Sequence, residues 1–400
     1  MNRHGLIAGA TGTGKTKSLQ VLLEEFSQAG VPSLVMDIKG DLSGIGAPGS
    51  RNKVVTQREG HIQMEWNEKD FPIEFLTISD EPGTRIRSTV SEFGPVILSK
   101  ILDINATQEG VLSMLFKYAD DNKLPLLNLD DLKSLLRYSV EDGKKEIQME
   151  YGLISTSSIH AILRRITALE QQGGDRLFGE PSFDVADLCA LDDIDQGIVN
   201  IIRLTDIQSK PALFSAFMLS LLAEVFEVFP ESGDDSKPKL MILIDEAHLL
   251  FREASKDLLE QIDIIIKLIR SKGIGIIFIT QTPNDIPENI LGQLGFKLQH
   301  ALRAFTSKDR KAINLMAQNF PDTEFYDTQE LITEMGIGEA MITVLNEKGR
   351  PTELVHTLMR PPYSRMDVLT DAEIKEILGK SELSQKYNKE IDSHSAHEIL

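Results

Sequence analysis

Apolar positions change their spacing twice within the first forty residues. His4 to Ala8 is a short, mostly apolar run. Lys15 to about Ala29 sets Leu19, Leu22, Leu23 and Phe26 on one helical stripe, and Ser33 to Asp37 is a second short run ending in a carboxylate. Gly30 falls where a helix C-cap glycine belongs. Strand, glycine-rich turn, helix, strand is a βαβ opening, which predicts a parallel sheet covered on both faces.

From about Glu81 to Leu191 the strand-like runs give way to helical periodicities at Ile86–Leu102, Gln108–Asp121, Leu129–Tyr138 and Ser157–Gln171. This stretch is expected to be an α-helical insertion. The α/β pattern returns at Gly197–Leu204, followed by an apolar helix Ala212–Phe229 and a polar loop Pro230–Lys239. Four further strands are expected at Leu240–Ile244, Gly275–Thr280, Lys297–Leu302 and Met341–Leu345. The last should pair with Thr352–Leu358 across Asn346 to Arg350, a hairpin signal. The expected organisation is a core from 1–80 and 192–370, interrupted by the insertion 81–191. A polar helix and a charged, mobile tail occupy 371–400.

Gly9-Ala10-Thr11-Gly12-Thr13-Gly14-Lys15-Thr16 matches G-x-x-x-x-G-K-[ST] at every fixed position. Its glycines let successive backbone N–H groups face phosphate, and the following helix adds its N-terminal dipole. Lys15 would supply a charge to the β- and γ-phosphates of ATP, and the Thr16 hydroxyl would reach Mg²⁺. Lys17, in the first turn of the helix, completes the expected nucleotide-binding set. A strand before and a helix after argue against a chance glycine-rich turn.

Leu240 to Ile244 is an apolar strand that ends in Asp245-Glu246, where Asp245 would hold Mg²⁺ through water and Glu246 would act as general base. The bland reading of Glu246 is a solvated charge at a strand end. Ala247 and His248 complete the letters of a helicase box. A two-lobed helicase, however, needs a second α/β lobe, for which too little chain follows. His248 is therefore expected to be a neighbour at a helix start. The strand through Ile279-Thr280 ends in Gln281, placed to sense the γ-phosphate or merely to end a strand. Asp37-Ile38-Lys39-Gly40-Asp41 closes the second strand on the same side of the sheet, where open α/β sheets bind ligands. Asp37 or Asp41 would support the water or metal shell, or the segment is a simple turn with a Lys–Asp pair.

Composition adds limits. With 41% hydrophobic and 26% charged residues the chain can bury a full core. One cysteine, Cys189, leaves no internal disulfide framework and fits a reducing cytoplasm. No apolar run approaches the ~20 residues that cross a bilayer, and Met1-Asn2-Arg3 leads straight into a strand rather than a signal peptide, so a soluble protein is expected. The net charge of −19 argues against a broad nucleic-acid footprint but leaves room for a local basic lining.

With these residues placed, the chain resembles the HerA/FtsK division of P-loop motor ATPases, and within it the bacterial HerA-like family with a helicase HerA-like C-terminal domain. The resemblance is carried by Asn2 to Ile7, Asp37 to Leu42, Ser91 to Pro95, Thr107 to Gly110, Glu170 to Asp175, Asp245 to Phe251 and Gln299 to Phe305. It runs from Asn2 to about Asp371. It implies a RecA-like fold, use of ATP and Mg²⁺, and a homo-hexameric ring in which a neighbour's arginine completes each site. Arg270 is the expected trans-acting residue, with Arg303 and Arg360 as alternatives. Two departures from HerA proper stand out: the N-terminal β-barrel has no room before His4, and the helical insertion is larger. Also, a few edge residues are expected before the first strand. Two functions from different classes follow: a motor that moves DNA through the ring, or an ATPase switch or assembly factor that holds a protein partner on the insertion. An inactive scaffold is disfavoured because no catalytic position is missing.

Overall fold

The computed structural model describes residues 4–233, 237–252, 256–304 and 306–400. Asn2, Arg3, Phe305 and Asp234 to Ser236 of the polar loop lie outside the described residues, as does the side chain of Leu258. The strands are β1 (His4–Ala8), β2 (Ser33–Asp37), β3 (Ile73–Thr77), β4 (Thr84–Arg85), β5 (Val199–Arg203), β6 (Leu240–Ile244), β7 (Ile274–Thr280), β8 (Phe296–Gln299), β9 (Glu339–Thr343) and β10 (Val355–Leu358). They form one sheet in the order β10-β9-β8-β1-β7-β6-β2-β5-β3-β4. All pairings from β8 through β4 are parallel, and β9 and β10 add an antiparallel hairpin at one edge.

Alternation within each strand supplies two cores. Leu6, Ala8, Leu34, Met36, Ile242, Ile244, Ile276 and Phe278 face one helical layer. Ile7, Val35, Leu243, Ile277 and Ile279 face the other, where Leu19 and Leu23 of the helix Lys15–Gln28 pack on them. The α/β, mainly parallel architecture expected from the pattern is therefore what forms. The helices Val90–Ile101, Ala106–Asp121, Leu129–Tyr138, Lys144–Tyr151 and Thr156–Glu170 do not build a core of their own. Their buried residues belong to the same cluster as Leu6 and Ile242.

Several elements differ from the sequence reading. β3 and β4 were not anticipated, and β4 falls inside the stretch expected to be helical. The run expected at Ile86–Leu102 starts instead at Val90, because Thr89 and Glu92 form a capping box, and Gly94 (φ 67°) followed by Pro95 breaks it in the middle. β8 stops at Gln299 rather than Leu302: the Ala301 carbonyl turns to accept from Ala10 N at 2.9 Å. The tail expected to be mobile is docked. Ile391 N donates to the Glu180 carbonyl at 3.3 Å, and Ala396 N to that of Pro125 at 3.0 Å. Asp131, buried at the start of Leu129–Tyr138, accepts from Ser395 Oγ and from His397 N. Among the described residues no helix is long and apolar enough to cross a membrane.

Candidate nucleotide site

Parallel register brings the sequence-predicted residues together at the carboxyl ends of the central strands. Ala8 pairs with Thr280, Ile244 with Phe278, and Met36 with Ile244. The segments that follow β1, β2, β6 and β7 therefore leave the sheet side by side, and one strand, β7, separates the glycine loop from Asp245-Glu246.

The loop Gly9 to Thr16 is clamped from behind. Gly338 N donates to the Thr13 carbonyl at 3.0 Å, and Thr13 Oγ1 donates to the Ala10 carbonyl at 2.7 Å. A Cβ on Gly9 would stand 2.5 Å from the Cβ of His300, and one on Gly14 would stand 3.2 Å from Gly338 N. Glycine is needed at both positions for close approach. His300 is fully buried. Its Nδ1 lies 2.8 Å from the Glu339 carbonyl, which can only accept, so Nε2 accepts from Ser18 Oγ at 2.9 Å. Sequence reasoning noted His300 only as part of a family stretch; its bracing role was invisible there.

Lys15 is buried, with Nζ on the carbonyls of Gly9 (2.6 Å) and Ala10 (3.0 Å). Burial first, then Lys39, pulls its pKa below that of an ordinary lysine, against the opposing pull of Glu246 and Asp245. Thr11 and Gly12 are exposed and Thr16 is half-buried. Lys17, by contrast, turns away from the loop. Its Nζ lies 2.5 Å from the Met366 carbonyl and 3.2 Å from Gln20 Oε1.

Asp245 and Glu246 are both buried, Glu246 at 6% exposure. Glu246 has a left-handed backbone (φ 48°), unusual for a non-glycine residue and characteristic of strained functional positions. Lys39 sits across the pair, with Nζ 2.6 Å from Glu246 Oε1 and 3.4 Å from Asp245 Oδ2. Burial raises the Asp245 pKa, which Lys39 partly offsets. For Glu246 burial pushes the same way, but Lys39, with smaller help from His248 and Lys15, offsets it and leaves the pKa lowered. His248 begins the helix His248–Arg252, as its spacing suggested, and its Nδ1 also lies 3.2 Å from Glu246 Oε2. That oxygen accepts no hydrogen bond.

Asp37 takes the turn role. Its carboxylate accepts from Gly40 N (2.8 Å), Asp41 N (3.2 Å) and Leu42 N (3.2 Å). Burial, and then Asp41, push its pKa up to about 6. The lysine of the segment pairs with Asp245 and Glu246 rather than with an aspartate of its own turn, which nothing in the sequence signalled.

Gln281 is exposed. Together with Ala10, Thr11, Asn284 and Arg303 it lines a cavity of about 430 Å³ beside the loop. Arg270 is exposed where the helix Lys256–Ile269 runs toward β7, at the opposite end of that strand from the loop of its own chain. Arg303 donates to the carbonyls of Thr333 (2.8 Å) and Met335 (3.4 Å). Arg360 is half-buried, pairs with Glu24 (2.7 Å) and Glu25 (2.6 Å) and stacks over Tyr363.

The arrangement suits a magnesium nucleotide. Among the described residues no group of three or more His, Cys, Asp or Glu side chains forms a metal cage. Mg²⁺ typically binds through one or two protein oxygens together with substrate phosphates and water, which matches Thr16 and Asp245. Glu246 Oε2, which accepts no hydrogen bond and has only the ion-pair contact of His248, and the cationic Lys15 and Lys39 resting on protein oxygens fit a site that reorganises around such a ligand.

The family described as helicase HerA-like C-terminal matches residues 1–400. The DNA double-strand break repair helicase HerA of Sulfolobus acidocaldarius is 22% identical over 86% of this chain and 62% of its own length. The DNA import protein CedB of the same organism is 24% identical over 87% of this chain and 51% of its own. The chain thus spans between half and two thirds of these relatives. Among solved structures, the plasmid coupling protein TrwB in complex with a non-hydrolysable GTP analogue aligns with a TM-score of 0.58 at 14% identity, covering 92% of this chain and 89% of that one. VirB4 of Thermoanaerobacter pseudethanolicus aligns at 0.54 and 16% identity, covering 90% of each. These likenesses support the RecA-like P-loop fold.

Proposed function

The chain belongs to the helicase HerA-like C-terminal family, and on that premise we propose that it is a magnesium-dependent ATPase that moves DNA through a ring of its own copies. The observation that carries this reading is the meeting of Lys15, Asp245 and Glu246 at the carboxyl ends of central strands, beside a glycine cradle. The loop N–H groups hold the phosphates, and Lys15 exchanges the Gly9 and Ala10 carbonyls for phosphate oxygens. Thr16 and Asp245 would hold Mg²⁺, which when bound neutralises charge on the phosphates. Glu246 takes a proton from the attacking water as the oxygen–phosphorus bond forms and ADP leaves. Gln281 senses the γ-phosphate from the cavity wall. Arg270, too far along β7 to serve its own loop, reaches a neighbour's site, consistent with the homo-hexameric ring that the family resemblance implies. The cytoplasm is the proposed setting.

Glu246→Gln should bind ATP normally yet hydrolyse it at least ~100-fold more slowly, as loss of a positioned base predicts. Near-normal turnover removes Glu246 from that role. Lys15→Ala should lose nucleotide affinity by calorimetry, and unchanged binding counts against the whole site.

A second reading, an ATPase switch that holds a protein partner on the insertion, is favoured by one observation. Met149 (87% exposed) and Leu153 (85%) present bare apolar side chains at the helix Lys144–Tyr151 and just beyond it. Turnover that responds to a protein partner and to no DNA would select it.

A further inference from the structure

Lys39 stands at the mouth of the site in a rigid turn. Asp37 fixes that turn by accepting three backbone N–H groups, and Gly40 (φ 73°) approaches Thr205 too closely for a side chain without adjustment. The Lys39 stem is about one third exposed, whereas its ammonium spans the two buried carboxylates. It occupies Glu246 Oε1 at 2.6 Å, while Glu246 Oε2 is sealed from solvent, accepts no hydrogen bond and has His248 Nδ1 3.2 Å away. Neither oxygen can take a proton from water in this arrangement. The same ammonium lies 3.4 Å from Asp245 Oδ2, on the carboxylate that would face a divalent cation.

We propose that Lys39 is a resident counter-ion: with no nucleotide bound it neutralises Asp245 and Glu246 and keeps Glu246 out of reaction, and the arriving magnesium nucleotide displaces it. The inference rests on the ATPase reading of this site. It makes Lys39 a positioning residue acting through Glu246. Two adjacent buried carboxylates without a cation repel each other and are poorly solvated, so a built-in cation is the physical alternative to a tightly bound metal. Being about one third exposed, the lysine can swing into water without burying its charge elsewhere. Hydrolysis without a nucleotide-organised site is thereby suppressed.

The test uses Mn²⁺ alone, titrated into the nucleotide-free full chain and followed by electron paramagnetic resonance. Removing a cation within 4 Å of the carboxylates should tighten Mn²⁺ binding in Lys39→Gln by at least about tenfold, while Lys39→Arg should stay near wild type. Unchanged affinity in Lys39→Gln overturns the proposal. So does a Lys39→Gln protein that binds ATP as wild type but has lost turnover, because that outcome makes Lys39 a group acting directly on the phosphates. If Lys39→Gln does not fold, Lys39→Met, which keeps the apolar stem, enters the same comparison. Wild-type turnover is measured in parallel: its absence sinks the ATPase reading, whereas the metal titration judges Lys39.

Discussion

His300 must stay uncharged to do what the structure asks of it. Burial pushes its pKa down from 6.5 to about 4, with Lys15 adding to the effect and the Glu339 carbonyl opposing it. Between those values the unfolded chain binds the proton and the folded chain does not. The stability His300 supplies is complete above pH 6.5 and is lost as pH falls toward 4. At pH 5 the loss should reach about 2 kcal/mol. Asp37, raised to about 6, contributes the opposite slope between 3.8 and 6, so the measurement has to be a difference. Urea unfolding of wild type and His300→Gln at pH 7 and pH 5 supplies it: the variant should lose about 2 kcal/mol less across that interval. Equal losses would mean that the imidazole is not held neutral.

The helix Lys15–Gln28 carries a second stripe besides the apolar one. Lys17, Gln20 and Glu24 face residues 360–367, which cover the helix as an irregular segment. Gln20 Nε2 donates to Ser364 Oγ (2.7 Å) and to the Arg365 carbonyl (2.8 Å). Glu24 accepts from Arg360 (2.7 Å), Tyr363 N (3.1 Å) and both Ser364 N (2.9 Å) and Ser364 Oγ (2.6 Å). Arg360, considered from sequence as a trans-acting arginine, is thereby committed inside its own chain. Arg360→Ala leaves the fully buried Glu24 without its cation and should destabilise the fold by about 3 kcal/mol in urea unfolding. A loss below about 1 kcal/mol would place the Arg360 pair among weak surface contacts instead.

At the scale of the molecule, the proposed ring would give a use to an arginine that stands away from the site of its own chain. Arg270 lies at the far end of β7, so mixing Arg270→Ala subunits with Glu246→Gln subunits should restore some ATPase activity, because some interfaces then receive both intact residues. Demonstrated mixing without recovery removes the trans role. In the translocation reading, the net charge of −19 requires that DNA be gripped by local cations rather than by the surface as a whole. Each duplex phosphate neutralised should add about −0.9 to the log–log salt slope. DNA stimulation of turnover should therefore be present at low salt and fade steeply by physiological ionic strength. Flat turnover with single- and double-stranded DNA at both salts, from an assembled and active ring, would end the translocation reading.

What the sequence determined by itself was local and periodic. The glycine loop, the bounds of β1, β2 and β6, and the carboxylates Asp245 and Glu246 were legible because strand alternation, helical stripes and phosphate-binding turns need only a few neighbouring residues. The short strands β3 and β4 were missed: β4 has two residues, too few to establish a period, and β3 is only half-buried at Ile73 and Glu74, so it lacks the continuous apolar run that marks β1, β2 and β6. Everything that depended on distant segments meeting was decided by the tertiary structure. Lys39 reached Asp245 and Glu246 because β2 and β6 are neighbours in the sheet, although the insertion lies between them in the chain. His300 became a brace because β8 lies beside β1. The polar tail became fixed because the buried Asp131, whose Oδ2 accepts from Leu127 N and Asn128 N, takes donors for Oδ1 from Ser395 and His397. A buried charge must find a partner, and which partner it finds is a property of the packed chain rather than of its local pattern.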